Sequence, residues 1–321
     1  MAAGLTLGFL PLNDAAPLIV ARDKGFFAAE GLDVTLRREA SWATLRDKVA
    51  VGALDGAQLL APLVLATSLG VGGEQTPMTA PMALNRNGAA VTLSRRLGEV
   101  AAGDAAGLAR LIARRREEGA SQLTFAVVFP YSIHNYLLRD WMAEAGIHPD
   151  RDVRLTVAPP ARMTELLADG VIEGFCAGEP WNAAAVAWGA GKVAARSSSL
   201  APDALDKVFA VTRAWGERRP EELAALLRTL MQAAAWAEAP ENRVELASLL
   251  ARRDNLDVAP DLISRGLTDL VFHGETTNVP TAPRVSALVE SMARWGHVPS
   301  RDAALATGAE VFREDLLTAA G

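Results

Sequence analysis

Short apolar runs along the chain give way repeatedly to stretches whose apolar positions recur at helical spacing. That alternation predicts an α/β protein with parallel sheets built from strand-helix-strand units. Leu5 to Leu10 reads as a strand, Pro17 to Glu30 as a helix, Leu32 to Arg38 as a strand and Trp42 to Leu54 as a helix. A short strand around Ala57 to Leu60, a helix after Pro62 and an extended run from Met78 through Ser94 follow, the last interrupted by Asn85, Asn87 and Gly88. From about Leu93 the pattern starts afresh. It predicts helices between Arg95 and Glu118, the strand Leu123 to Phe129, the helix Ser132 to Ala145 and the strand Val153 to Ala158. The helix Ala161 to Asp169, the strand Glu173 to Ala177, the helix Trp181 to Trp188 and the strand Lys207 to Thr212 come next.

Beyond residue 213 strand patterns stop. Pro220 to Ala237, Asn242 to Arg253, Pro260 to Leu270, Ala282 to Trp295 and Ala309 to Thr318 are predicted helices, a tail that would wrap a lobe. The expected organisation is two lobes joined by crossovers near residues 88 and 194. Residues 1–88 and 194–321 form lobe I with the helical tail, residues 89–193 form lobe II, and a ligand cleft lies between them.

Composition narrows the function. The chain has 321 residues, 50% hydrophobic and 22% charged, enough for two moderate cores. Its formal net charge of -6 is spread without a basic stripe, which argues against a direct nucleic-acid partner. A single cysteine, Cys176, excludes an internal disulfide and a cysteine-based zinc site. From Met1 into Leu5–Pro11 there is no basic segment, sustained apolar stretch or cleavage site, and no apolar run reaches the roughly 18 residues of a membrane span. A cytoplasmic protein without membrane insertion is therefore expected.

Catalytic templates are absent: no G-x-x-x-x-G-K-[ST], no G-x-S-x-G and no H-E-x-x-H. The histidines His134, His148, His273 and His297 are too scattered for a metal-ligand pattern. The expectation is a protein that is not an enzyme and needs no cofactor. The most specific local signal is Gly174-Phe-Cys-Ala-Gly-Glu-Pro-Trp-Asn182, a strand ending in glycine followed by a proline-opened helix. Amides around Gly178 and Glu179 would lie at the positive end of that helix, suited to an anion, with the Glu179 carboxylate capping or salt-bridging. A plain strand-to-helix turn has the same signature.

Basic charge is carried mostly by arginine, so Lys207 in the returning strand stands out as a compact point charge for a small monoanion. A solvated edge-strand lysine is the competing reading. Trp42, at a strand-to-helix junction, offers one donor and a flat wall to a planar oxyanion, or else packs in the core. Asn85, at the first crossover, could donate without adding charge, although Asn-Gly sequences also mark turns. Phe129-Pro-Tyr-Ser-Ile-His134 closes a strand and opens a helix capped by Ser132, which puts Tyr131 and His134 near the cleft. A helix-start histidine is otherwise simply exposed.

Together Gly8–Ala21, Lys24-Gly-Phe-Phe27, Ser41–Asp47, Asp55-Gly-Ala-Gln58, Ala158-Pro-Pro160, Gly174–Trp181 and Lys207-Val-Phe209 make the chain resemble the nitrate/bicarbonate branch of the ABC-transporter substrate-binding proteins. The resemblance spans nearly the whole length. It implies a two-lobed type II periplasmic-binding-protein fold with a helical C-terminal extension, and a nitrate or nitrite ligand held by Trp42, Asn85, Gly178, Glu179 and Lys207. Two positions depart from the transport proteins: Val127 stands where they carry histidine, and Glu179 where they carry aspartate, with His134 one helical turn further on as a candidate substitute. The segment Phe125–Tyr136 looks like the cytoplasmic NasS-type nitrate/nitrite sensors, which implies a NasT-type RNA-binding antiterminator partner released when the anion binds. A transporter binding protein for nitrate, bicarbonate or a sulfonate is the alternative. A related fold serving thiamine-pyrimidine synthesis is the third.

Overall fold

A computed structural model describes residues 4–100 and 104–321. Met1 and its two neighbours, and residues 101–103 inside the predicted 95–118 helical stretch, lie outside the described residues. Ten strands form two sheets: β1 (Leu5–Phe9), β2 (Val34–Arg38), β3 (Gly56–Leu60), β4 (Met78–Ala83), β5 (Ala89–Ser94), β6 (Thr124–Val127), β7 (Arg154–Val157), β8 (Gly174–Gly178), β9 (Gly191–Arg196) and β10 (Lys207–Thr212). The first sheet has the order β2-β1-β3-β10-β4 and the second β7-β6-β8-β5-β9.

The sheets are mixed and not purely parallel as the alternation implied. β1 runs parallel to β2 and β3, but β10 is antiparallel to both β3 and β4. Likewise β6 is parallel to β7 and β8, whereas β5 is antiparallel to β8 and β9. In each sheet the reversed strand is one that the chain enters from the other lobe, because a strand arriving through a crossover needs no helix to bring it round.

The predicted run Met78–Ser94 divides into β4 in the first sheet and β5 in the second. Asn87 and Gly88, with φ of 61 and 83, make the turn between them. Only glycine fits at Gly88, where a Cβ would lie 2.4 Å from the Leu270 side chain. The return follows β9, so the chain leaves the second sheet after Arg196 and enters the first at Lys207.

One apolar cluster packs the helices Ala16–Asp23 and Pro220–Glu238 on one face of the first sheet, through Leu18, Ile19, Leu226 and Leu230. Another takes in the helices Trp42–Ala50 and Ala61–Leu69 and runs on into the second lobe through Phe125, Leu138 and Phe175. The tail is helical as expected but does not confine itself to one lobe. Its helix Pro260–Gly266 packs on the helix Trp181–Ala187 of the second lobe. Trp295, just past the tail helix Ala282–Arg294, donates to Asp140 at 3.0 Å on the second-lobe helix Ile133–Glu144. The predicted helix Ala309–Thr318 is two helices, Arg301–Val311 and Glu314–Ala320, broken at Phe312-Arg313.

Candidate anion site

Two serine caps aim two of the predicted site residues. Ser41 accepts from Thr44 N at 3.2 Å and places Trp42 on the first helical turn. Ser132 accepts from Asn135 N at 3.1 Å and does the same for His134. Both side chains are fully covered: Trp42 is 1% exposed and His134 0%. Trp42 Nε1 and both His134 ring nitrogens have no hydrogen-bond partner among the described residues. Buried polar atoms without partners are costly, which makes these atoms candidates to face a ligand.

Lys207 lies beside them, 0% exposed, with Nζ 5.7 Å from the centre of the Trp42 ring. It is no solvated edge lysine, since β10 is interior to its sheet. Its ammonium contacts two buried carboxylates, Asp206 Oδ2 at 2.8 Å and Asp14 Oδ2 at 3.0 Å. Asp14 also accepts from the Gln58 amide, whose own oxygen accepts from Leu10 N at 2.9 Å. His134 Nε2 stands 3.8 Å from Asp206 Oδ2. A Cβ on Gly178 would lie 3.3 Å from Asp14 Oδ2 and 3.7 Å from His134 Nε2. The Gly178 backbone is therefore packed closely against Asp14, Leu12 and His134, where even a methyl group would be crowded and residues of both lobes converge.

Burial dominates the electrostatics. It pushes Asp14 up to about 6 against the pull of Lys207, and it holds His134 down at about 3, so the imidazole is neutral. Burial also works against the charges of Asp206 and Lys207, but there the pairing wins. Lys207 with His134 keeps Asp206 below the usual carboxylate range, while Asp14 and Asp206 keep Lys207 above its ordinary value.

Of the remaining expected contributions, Glu179 caps the helix as expected: its Oε2 accepts from Ala183 N at 2.9 Å, so that amide at the start of the helix Trp181–Ala187 is not free for an anion. The Glu179 amide itself donates to Gly88 O at 2.9 Å, and its carbonyl accepts from Asn13 N at 2.8 Å. Glu179 thus caps a helix and ties the lobes, with Arg196 3.7 Å from its other oxygen. Asn85 is buried, but its Nδ2 donates to Asn87 O at 2.9 Å, which fixes the crossover turn. Tyr131 has its ring against Gly72 and edge-on to His297 at 5.3 Å. Trp42, His134, Gly178 and Lys207 are brought together.

Sequence reasoning missed Asp14, Gln58 and Asp206. Asp14 and Gln58 stand in Gly8–Ala21 and Asp55-Gly-Ala-Gln58, segments that carried the family resemblance, and Asp206 adjoins Lys207. Trp181 Nε1 donates to Pro11 O at 3.2 Å, a further bond between lobes.

One ammonium, unpartnered polar nitrogens and the Gly178 backbone thus meet in a buried cluster between the two lobes. The chain belongs to the NMT1-like family, whose model matches residues 2–251. It is 36% identical over 313 residues to the bicarbonate transport ATP-binding protein CmpC of Synechocystis sp. (strain ATCC 27184 / PCC 6803 / Kazusa), covering 92% of this chain and 46% of that protein. The chain thus spans about half the length of that relative. The nitrate/nitrite binding protein NrtA of the same organism is 32% identical over 335 residues, covering 97% of this chain and 74% of the relative. The crystal structure of the periplasmic nitrate-binding protein NrtA from Synechocystis PCC 6803 superposes with a TM-score of 0.93 at 30% identity, covering 99% of this chain and 88% of that one. The fold is that of the periplasmic binding proteins.

Proposed function

We propose that this chain binds nitrate or nitrite by enclosing the anion between its lobes, as a substrate-binding protein of the nitrate/bicarbonate/sulfonate type. The observation that carries this is the Lys207 cluster: a buried ammonium beside the unpartnered Nε1 of Trp42 and nitrogens of His134, with the backbone of Gly178 packed alongside. A small planar anion offers in-plane oxygens to the Lys207 ammonium, the Trp42 indole N–H and the single N–H of the neutral His134 ring. The relatives named for nitrate support the ligand class. Binding without chemistry is favoured by Cys176, whose thiol is buried and pushed well above its ordinary pKa, so that no thiolate nucleophile is at hand. Among the described residues no helix is long and apolar enough to cross a membrane.

Calorimetry with nitrate, nitrite and bicarbonate on the full chain tests the reading. Micromolar to millimolar binding of nitrate or nitrite is expected, and heats at the dilution level for both would end it.

A regulatory use of the same enclosure is the second reading: a cytoplasmic sensor that releases a NasT-type RNA-binding antiterminator when the anion binds. It is favoured by His134, which enters the cluster from Phe125–Tyr136, the segment that resembles the sensors. Ligand and partner would then bind in competition. Gel filtration with such an antiterminator should show a complex that nitrate dissolves, and no complex in either condition would discard this reading.

A further inference from the structure

Charge around Lys207 is the starting point, given the anion-binding reading above. From the turn Asn13–Ala15 comes Asp14, and from the residue before β10 comes Asp206, each in contact with Nζ. The helix Ile133–Glu144 contributes His134, and β3 contributes the uncharged Gln58 amide. From β8 come the Cys176 thiol and the backbone of Gly178, while Glu179 turns to Ala183 N and Arg196. Trp42 supplies a wall and a donor without charge.

One cation therefore already faces two carboxylates, and a monoanion laid against it would be a third negative group with no exposure to water. An uncompensated buried charge is opposed far more strongly than one in solvent. Position singles out Asp14. Its Oδ2 lies 3.0 Å from Lys207 Nζ and 3.3 Å from where a Gly178 Cβ would stand, so it is packed between the ammonium and the second-lobe backbone, where an anion facing Lys207 would have to lie. Asp206 sits beside Lys207 in sequence and closes on it at 2.8 Å.

We propose that Asp14 is a built-in competitor for Lys207, and that an oxyanion enters only together with one proton from solvent, which neutralises the Asp14 carboxylate and turns it into a hydrogen-bond donor to the ligand. Burial, which already lifts Asp14 to about 6, is what leaves this carboxylate the readiest of the pair to accept it. Selectivity follows. A monoanion needs one proton to restore the balance, whereas a dianion such as sulfate needs two and is excluded.

The test is proton uptake on mixing the full chain with sodium nitrate in unbuffered salt solution on a pH-stat, alongside affinity at several pH values. About one proton taken up per anion is expected, with affinity falling about tenfold per pH unit from 7 to 8 and no sulfate binding. The Asp14→Asn variant keeps the shape without the charge. It should take up no proton and bind nitrate more tightly than the parent at pH 8, by about tenfold or more. Nitrate binding by the parent chain with no proton uptake and a flat pH profile overturns the proposal and leaves the anion site standing, an outcome readable even if the variant fails to fold. Absence of nitrate and nitrite binding at every pH removes the site and the proposal together.

Discussion

Lys207 carries two loads, and its replacement separates them. Lys207→Ala is expected to abolish anion binding by calorimetry, since no other ammonium or guanidinium contacts the cluster among the described residues. It also strands Asp14 and Asp206 as buried like charges. Losing one partner of such a buried set costs about 3 to 5 kcal/mol, so denaturant midpoints should fall at pH 8. They should recover partly at pH 5, where Asp14 takes up a proton. Lys207 was legible in the sequence because lysine is rare in an arginine-rich chain. Most of its partners were not. Asp14 and Gln58 are distant in sequence, Asp206 adjoins the lysine but has an ordinary local explanation, and an acidic residue beside a proposed anion argues against itself until the lysine's double pairing is seen; only His134 was picked out beforehand. Glu179 caps and salt-bridges as its place before the helix suggested, and Asn85 commits its Nδ2 to Asn87 O while its buried Oδ1 has no partner among the described residues.

The junction of β8 with the helix Trp181–Ala187 sets the pH behaviour at the level of elements. Burial raises Glu179 to about 7 from 4.5, so between those values the folded protein holds a proton that the unfolded chain has released. Stability should therefore decline as pH rises from about 4.5 to 7, by up to about 3 kcal/mol from this group. Glu179→Gln keeps an acceptor for Ala183 N and removes the charge. Chemical denaturation at pH 5 and 8 should show the variant losing less stability across that interval than the parent. His134 acts in the other direction, because a buried neutral imidazole costs stability as pH falls below about 6.5, where the unfolded chain takes up protons. Most elements were readable from periodicity, with ends within a few residues. β9 was not, because Gly-Lys-Val-Ala-Ala-Arg is a half-exposed edge strand with little apolar character. Strand direction was equally invisible, since β10 has the same apolar pattern whichever way it runs.

For the molecule as a whole, the tail decides how the lobes meet. Trp295 holds the tail to Asp140 of the second lobe, and Tyr136 OH lies 3.0 Å from His297 Nδ1. These contacts are remote from Lys207 yet favour the arrangement that buries it. Trp295→Phe, which loses the indole donor and keeps a ring, is expected to weaken nitrate binding about fivefold, the equivalent of about 1 kcal/mol for one hydrogen bond. Calorimetry checks this, and unchanged affinity would mean that the tail is passive in closure. Two lobes with a helical tail were expected from the order of elements alone. That the tail reaches both lobes depends on where single side chains land, which periodicity does not encode.

The position of β10 also constrains how the protein is made. It fills the gap between β3 and β4, yet all of the second lobe is synthesised between those strands and it. When synthesis has reached Asp206, β3 and β4 have been made with bare facing edges and without the strand that joins them, while every strand of the second sheet has already been made. Such edges are sites of wrong pairing. The nascent first lobe should depend on chaperones for longer than the second, and no anion can be captured until Lys207 arrives in its gap.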